Sequence, residues 1–174
     1  ILAASETTGI GLAHLPVLYR FGGFGSREFS SQQGRFIHKP DEFVRLLEKL
    51  SPSFEKHPNR RLGMAPHSLR AVSPDLLSEV LPEFERFCPG SPMHLPVSEQ
   101  TAEVEECLEW SGFRPVQWLF ENLQPDSNWC LIHATHLDSQ ELRTLAESKV
   151  TVGLCPTTEA NLGDGIFPME EFME

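Results

Sequence analysis

The chain has 174 residues, 40% of them hydrophobic and 22% charged, which is the composition of a globular protein with a substantial core. Its 14 basic and 25 acidic residues leave a formal net charge of −11. Because that charge repels phosphate backbones and anionic lipids, we expect neither nucleic acid nor a membrane surface as a partner. A small anionic ligand is compatible with this charge only where local arginine or lysine side chains offset it.

Cysteine usage and short apolar runs indicate a cytoplasmic protein. No apolar run reaches the about 20 residues that span a bilayer, and the first residues lack the basic segment of a signal peptide. The sequence begins without Met, in what resembles the end of a helix, so we expect a section of a longer chain. Four cysteines without CxxC spacing are expected to be reduced thiols: Cys88, Cys107, Cys130 and Cys155.

Short apolar runs alternate with amphipathic segments along the chain. Buried strands are predicted for residues 12–19, 62–65, 93–97, 129–132 and 150–154. Helices are predicted between them, at about 40–50, after Ser73, from Thr101, after Arg114 and after Asp138. We expect Leu108 to face inward with Val104 and Cys107, and residues 156–165 to form a loop.

Apolar strands separated by helices indicate right-handed βαβ crossovers and a parallel sheet of the α/β class. Two architectures fit, an open doubly wound sheet and a section of a (β/α)8 barrel. The sequence has no GxGxxG or GxxxxGK[ST] motif, and the glycine-rich stretch 22–25 is better explained as a turn. A whole barrel needs about 250 residues. The barrel alternative therefore requires further βα units besides the five predicted here.

Polar side chains follow four consecutive predicted strands at their carboxyl ends, where parallel α/β folds carry their chemistry. They are His67 and Arg70 after the second strand, Glu99 after the third, His133 and His136 after the fourth, and Glu159 and Asn161 after the fifth. Their convergence on one rim favours a functional site.

Each of these residues also has a structural explanation. Glu99 is suited to the N-terminus of the following helix, because a carboxylate is favourable there. His133 could be a hydrogen-bonded buried histidine, while His67 and Arg70 could bond loop carbonyls. It is the combination of four strand ends, and no single residue, that supports the functional interpretation.

Three strings at these strand ends resemble the formimidoylglutamate deiminase family of metal-dependent amidohydrolases. They are APHSLRAV at 65–72, HATHL at 133–137 and PTTEANLGDGIFP at 156–168. The resemblance implies a (β/α)8 TIM barrel, of which residues 1–174 would be the central part, about five βα units without the first and last strands. It also implies one divalent metal, usually zinc, and allows for a homodimer.

The reaction implied by the resemblance is hydrolysis of the formimino C–N bond of N-formimino-L-glutamate, in histidine degradation, giving N-formyl-L-glutamate and ammonia. Glu99 then matches the family's acid/base, and His133 matches the histidine beside the tetrahedral centre. His67 and Arg70 match the pair that binds a carboxylate of this small dicarboxylate substrate.

One position departs from the family pattern. The family places a metal-binding histidine three residues before the glutamate, and here that residue is Pro96, which has no donor atom. His94 lies on the same strand face but matches another family residue, so we assign no metal ligand within this chain. We expect weak or no metal binding by this chain alone. The alternative is a non-catalytic amidohydrolase-like protein, ligand-binding or structural, that has lost its metal site.

Overall fold

The structure is a computed structural model that describes residues 1–55 and 57–173. Its elements in chain order are α1 (Leu2–Thr8), β1 (Leu12–His14), β2 (Val17–Leu18), a 3-10 turn (Gly34–Phe36), α2 (Pro40–Leu50), α3 (Pro52–Glu55), β3 (Arg60–Leu62), β4 (Ala65–Pro66), α4 (Pro74–Phe87), β5 (Met93–Val97), α5 (Thr101–Ser111), α6 (Pro115–Asn122), β6 (Trp129–His133), α7 (Ser139–Glu147), β7 (Thr151–Gly153), α8 (Pro156–Leu162) and α9 (Met169–Met173). This is the α/β organisation predicted from the sequence.

Every strand pair is parallel. Strand β1 pairs with β3, β2 pairs with β4, and β5, β6 and β7 form a sheet in that order. A parallel bridge between Met64 and Met93 links the β3–β4 segment to β5. The carboxyl ends of β4, β5 and β6 therefore meet at one rim, as expected for a section of a (β/α)8 barrel.

The first two predicted strands are each broken into two short pieces, which the sequence analysis did not anticipate. Pro16 lies in the first break and cannot donate to a ladder, while Gly63 lies in the second. The pairing nevertheless continues across both breaks, because Gly63 N donates to His14 O and Ala65 N donates to Pro16 O, each at 2.9 Å. A Cβ on Gly63 would collide with the carbonyl oxygen of Pro92.

The predicted helix starts are confirmed by their caps. The Ser73 hydroxyl accepts a hydrogen bond from Leu76 N at the start of α4. Asp138 and Glu141 form the predicted capping box of α7. The helices bury their apolar faces against one side of the strands, and the largest fully buried side chains are Leu18, Phe43, Leu47, Met64, Leu77, Val80, Leu95, Val97, Val116, Leu119, Leu131 and Leu145.

Two local predictions are wrong. Residues 156–165 do not form only a loop, since they begin with helix α8. Pro156 occupies its first turn and Gly163 ends it at φ 72°, and these are the start and stop residues that helices favour. Leu108 does not face inward: it is 47% exposed, whereas Val104 and Cys107 on the same helix are buried.

Burial alternates along β5 and so separates two faces of the sheet. Leu95 and Val97 are buried beneath the helices, while His94 and Pro96 lie half-buried on the opposite face. All four cysteines are free thiols, as predicted, with Cys88 and Cys107 buried and the other two half-buried. Among the helices within 1–55 and 57–173, none combines the length and the hydropathy needed to cross a membrane.

Candidate active site

The four side chains that were given roles in the predicted site line one pocket of about 200 Å³, whereas the strand-end residues His136, Glu159 and Asn161 do not line it. The four are His67, Arg70, Glu99 and His133, contributed by the segments that follow β4 and β5 and by the last residue of β6. Because these parallel strands end at one rim, residues far apart in sequence become neighbours. The structure thus brings the predicted residues together, while their roles stay predictions.

His133 closes β6 in an unusual backbone conformation. Its φ is 70° and that of Ala134 is 49°, both in the left-handed region that residues other than glycine rarely adopt. Ala134 N donates to Val97 O at 3.0 Å, which ties the turn to β5. Such strain persists only where surrounding contacts enforce it, and it is concentrated at functional sites.

The imidazole of His133 lies between two carboxylates. Its Nε2 is 3.5 Å from Oε1 of Glu99, and its Nδ1 makes a 3.0 Å hydrogen bond with Oε1 of Glu159. The side chains of His133 and Glu159 are only 9% and 6% exposed, whereas that of Glu99 is 19% exposed and opens to the pocket. Each ring nitrogen therefore faces one carboxylate.

The backbone amide of Glu99 is hydrogen-bonded to a buried carboxyl group. The residue before it, Ser98, has φ 51°, and Glu99 N donates to Oε2 of Glu103 at 3.1 Å. Glu103 is 2% exposed, and this burial raises the pKa of its carboxyl group, while the Arg70 guanidinium acts in the opposite direction. Sequence reasoning missed Glu103, although its position one helical turn after Glu99 could have signalled the contact.

His67 and Arg70 form one side of the pocket, which we call the cation side after the Arg70 guanidinium. His67 N donates to Leu18 O at 3.0 Å, and the ring packs edge-on against Tyr19, with the centroids 4.4 Å apart. Although one side of the ring is open, its partial burial lowers the pKa of His67, and the nearby Arg70 charge lowers it further. Within the described part of the chain, the buried Nε of Arg70 has no hydrogen-bond partner.

A second cavity of about 500 Å³ adjoins this pocket and shares Val17 and His67 with it. Its wall includes Tyr19, whose hydroxyl accepts a 2.7 Å hydrogen bond from Gln33, and the side chain of Arg35. The two cavities together leave room for a ligand larger than the first pocket alone would hold.

Residues of the string PTTEANLGDG mainly support the side chains that line the pocket. Glu159 supports His133, and its Oε1 also accepts a 2.9 Å hydrogen bond from Cys155 N. Asp164 accepts a 2.9 Å bond from Nε2 of Gln100, and its carbonyl lies 2.6 Å from Nε2 of His136. These contacts join the segments that follow β5, β6 and β7.

The described residues do not complete the metal site that the resemblance implies. Pro96 lines the pocket at the position of the family's histidine and offers no donor. His133, Cys155 and Glu159 have ligand-type atoms within 4.8 Å of one another, a spacing that could hold an ion. Hydrogen bonds already account for that spacing, since Glu159 accepts from both the imidazole and the Cys155 amide.

Comparison with known proteins identifies close relatives. The sequence signature of the amidohydrolase family matches residues 14–174. Formimidoylglutamate deiminase from Pseudomonas aeruginosa is 45% identical over 173 residues, which are 99% of this chain and 37% of that protein. A 5-methylthioadenosine/S-adenosylhomocysteine deaminase from Natronomonas pharaonis is 34% identical over 66% of the chain and 26% of that protein. The resemblance predicted from the three strings is confirmed.

Solved structures agree with this relationship. The crystal structure of an amidohydrolase from Brucella melitensis superposes with a TM-score of 0.89 at 46% identity, covering 99% of this chain and 38% of that one. An adenosine deaminase from Xanthomonas campestris with bound zinc superposes with a TM-score of 0.80 at 21% identity, covering 99% and 36%, and shows the fold alone. The chain spans a little over a third of the lengths of the deiminase and the Brucella amidohydrolase.

Proposed function

We propose, from the premise that this chain belongs to the amidohydrolase family, that it supplies the substrate-binding and proton-transfer residues of a deiminase. The proposed reaction is hydrolysis of N-formimino-L-glutamate to N-formyl-L-glutamate and ammonia. The 45% identical deiminase supports this reaction. The observation that carries the proposal is the meeting of His67, Arg70, Glu99 and His133 in one pocket.

Arg70 and His67 are proposed to bind a carboxylate of the substrate. A guanidinium presents several N–H donors in one plane, which matches the two oxygens of a carboxylate. Within the described residues, the buried Nε of Arg70 has no hydrogen-bond partner, so the guanidinium that lines the pocket keeps an unused donor. His67 has a lowered pKa, so at neutral pH its ring contributes a hydrogen bond rather than a second charge.

Glu99 is proposed to carry the proton. Water adds to the formimino carbon, and the proton that it loses passes to the Glu99 carboxylate. Glu99 delivers that proton to the imino nitrogen and then carries the remaining hydroxyl proton of the tetrahedral adduct to the same nitrogen, so that ammonia leaves as the C–N bond breaks and the formyl C=O forms. Glu99 opens to the pocket, and His133 lies 3.5 Å from its carboxylate oxygen, where it faces the same reacting centre.

The adenosine deaminase from Xanthomonas campestris, which has bound zinc, shares this fold, and we propose a divalent metal, zinc, in the whole protein. In this family the metal lowers the pKa of the attacking water. Because Pro96 takes the place of one ligand, we derive no step from the metal. We also propose a role in histidine degradation and a cytoplasmic location.

A non-catalytic amidohydrolase-like protein is the second candidate, and Pro96 is the observation that favours it. Metal analysis of the full-length protein separates the two. Zinc that stays bound in a 1:1 ratio after dialysis supports the enzyme, whereas its absence together with absent turnover supports the second candidate.

The direct test is ammonia release from N-formimino-L-glutamate by the full-length protein that contains this chain. Replacing Glu99→Gln removes the proton carrier and is expected to lower kcat by about 10²–10⁴-fold, the usual contribution of general acid–base catalysis. Glu105→Gln, on the exposed face of α5, is the matched control and should leave kcat unchanged. Turnover of the Glu99 variant at the wild-type rate would refute this role.

A further inference from the structure

We propose that Glu159 is a positioning residue that holds the His133 imidazole with its Nε2 towards Glu99. This inference rests on the proposed function, because it concerns the proton-transfer side of that site. The sequence analysis placed Glu159 after the fifth strand but gave it no role, and it predicted a loop where α8 lies.

Geometry is the first argument. Glu159 Oε1 bonds Nδ1 of His133 at 3.0 Å, while Nε2 on the other side of the ring lies 3.5 Å from Glu99 Oε1. Turning the ring over would remove the bond to Glu159. The side chains of Glu159 and His133 are both more than nine-tenths buried, so solvent does not compete for these contacts.

The second argument concerns which nitrogen carries a proton. Glu159 Oε1 accepts the Cys155 N–H at 2.9 Å and is therefore an acceptor. A carboxylate oxygen accepts but does not donate, so the bond from His133 requires a hydrogen on Nδ1. In the neutral ring, Nε2 then has a free lone pair that faces Glu99 and the pocket.

That lone pair can take part in the reaction. When Glu99 has received a proton from water, the proton can pass from its Oε1 to Nε2, leaving a carboxylate at Glu99 and an imidazolium at His133. The carboxylate of Glu159, hydrogen-bonded to Nδ1 at 3.0 Å, stabilises that cation. The proton then returns through Glu99 to the departing nitrogen, so that His133 and Glu99 both end the reaction in their starting protonation states.

The backbone supports the same assignment. Glu159 lies in the first turn of α8, a seven-residue helix that begins at Pro156 directly after β7. Asp164 N donates to Glu159 O at 2.9 Å, which fixes the helix end, and Asp164 is itself tied to Gln100 after β5. The buried carboxylate is thus aimed at His133 from a segment anchored at both ends.

The test uses the full-length protein with two readouts. Glu159→Gln keeps the shape and an acceptor oxygen but removes the charge. We expect kcat to fall by about 10–100-fold, as for other carboxylates behind a reactive histidine, and KM to change by less than about 3-fold because substrate contacts are intact. Glu170→Gln, an exposed carboxylate on α9, is the matched control and should be silent.

The second readout is independent of activity. In protein labelled with ¹⁵N-histidine, the His133 signals, assigned by their loss in His133→Gln, should show a proton on Nδ1 in the wild type. That preference should weaken in Glu159→Gln. A wild-type ring protonated only on Nε2 overturns the proposal without any Glu159 variant, and so does a Glu159→Gln enzyme with wild-type kcat.

The two proposals fail in different ways. A wild-type protein that releases no ammonia refutes the proposed function, yet the ¹⁵N spectra still decide whether Glu159 sets the His133 proton. If the protein is active but the protonation of His133 is the same in wild type and in Glu159→Gln, only the positioning role is refuted.

Discussion

The two sides of the pocket differ in how far their polar groups are already paired. On the proton side, His133 has a carboxylate at each ring nitrogen and Glu99 is held through its backbone by Glu103. On the cation side, the buried Nε of Arg70 has no hydrogen-bond partner within the described residues and His67 is partly open. One side is therefore paired within the protein, whereas the other keeps an unused donor within the described residues.

Such a division has a physical reason. Groups that move a proton must be aligned before the reaction, because reorganisation during the reaction would cost free energy. Groups that bind a carboxylate gain most when the substrate supplies the missing partner, since an unpaired buried donor is costly. Mutations on the proton side should therefore affect mainly kcat, and those on the cation side mainly KM.

The largest expected effect among variants of the cation side is that of Arg70→Gln. It removes the charge opposite the substrate carboxylate, and hydrogen bonds to charged groups contribute about 1.5–3 kcal/mol. We expect KM for N-formimino-L-glutamate to rise by about 10–100-fold with a smaller change in kcat. Initial-rate measurements check this, with Arg143→Gln on the exposed face of α7 as control. An unchanged KM would remove Arg70 from the binding site.

A smaller effect is expected for His67→Gln. Burial and then the Arg70 charge lower the pKa of His67, so the ring is neutral at pH 7 and contributes one uncharged hydrogen bond. We expect KM to rise by about 2–10-fold, equivalent to about 0.5–1.5 kcal/mol. The ratio of KM values, variant to wild type, should stay constant from pH 7.5 to 8.5. If that ratio decreases steadily with rising pH, His67 binds as a cation instead.

The smallest expected effect is on stability and concerns Glu103→Gln. Burial raises the pKa of Glu103 above its ordinary 4.5, so the folded protein binds this proton more tightly than the unfolded chain. The stability contributed by the protonated form is fully present below pH 4.5 and is lost as the pH rises through the raised pKa. The uncharged glutamine variant should therefore gain stability relative to wild type as the pH rises above 4.5.

Thermal unfolding of the full-length protein measures this gain, and we expect a few degrees, about 2–4 °C per kcal/mol for a protein of moderate size. Glu105→Gln on the exposed face of the same helix should show no such trend. If instead the wild type became more stable than the variant as the pH rises, the attraction to Arg70 would outweigh the cost of burying the Glu103 carboxylate.

The location of the site could be predicted from the sequence, because the carboxyl ends of parallel strands lie at the same edge of the sheet. Once βαβ crossovers were recognised, residues following successive strands had to meet at one edge. His67, Glu99 and His133 were found in this way without any knowledge of side-chain geometry. The start of α4 was equally readable, since Ser73 and Pro74 occupy the positions that their chemistry favours.

The supporting residues could not be predicted in the same way. The bond between Glu159 and His133 spans 26 residues and depends on where α8 lies, and the start signal at Pro156 was assigned to a loop. The breaks in the first two strands depend on contacts between segments rather than on local preference. Leu108 follows a helical apolar spacing yet stays exposed, because only the packing of α5 decides which residues at its edge are covered.

Gly63 has a consequence for how two strands of the site pack together. Its missing side chain lets the β3–β4 segment lie against Pro92 at the start of β5, with Met64 N donating to Pro92 O at 3.1 Å. Even a methyl group there would act as a spacer between the strand that leads to Arg70 and the strand that leads to Glu99. The absent side chain of Gly63 is thus what lets these two strands pack in direct contact where β5 begins.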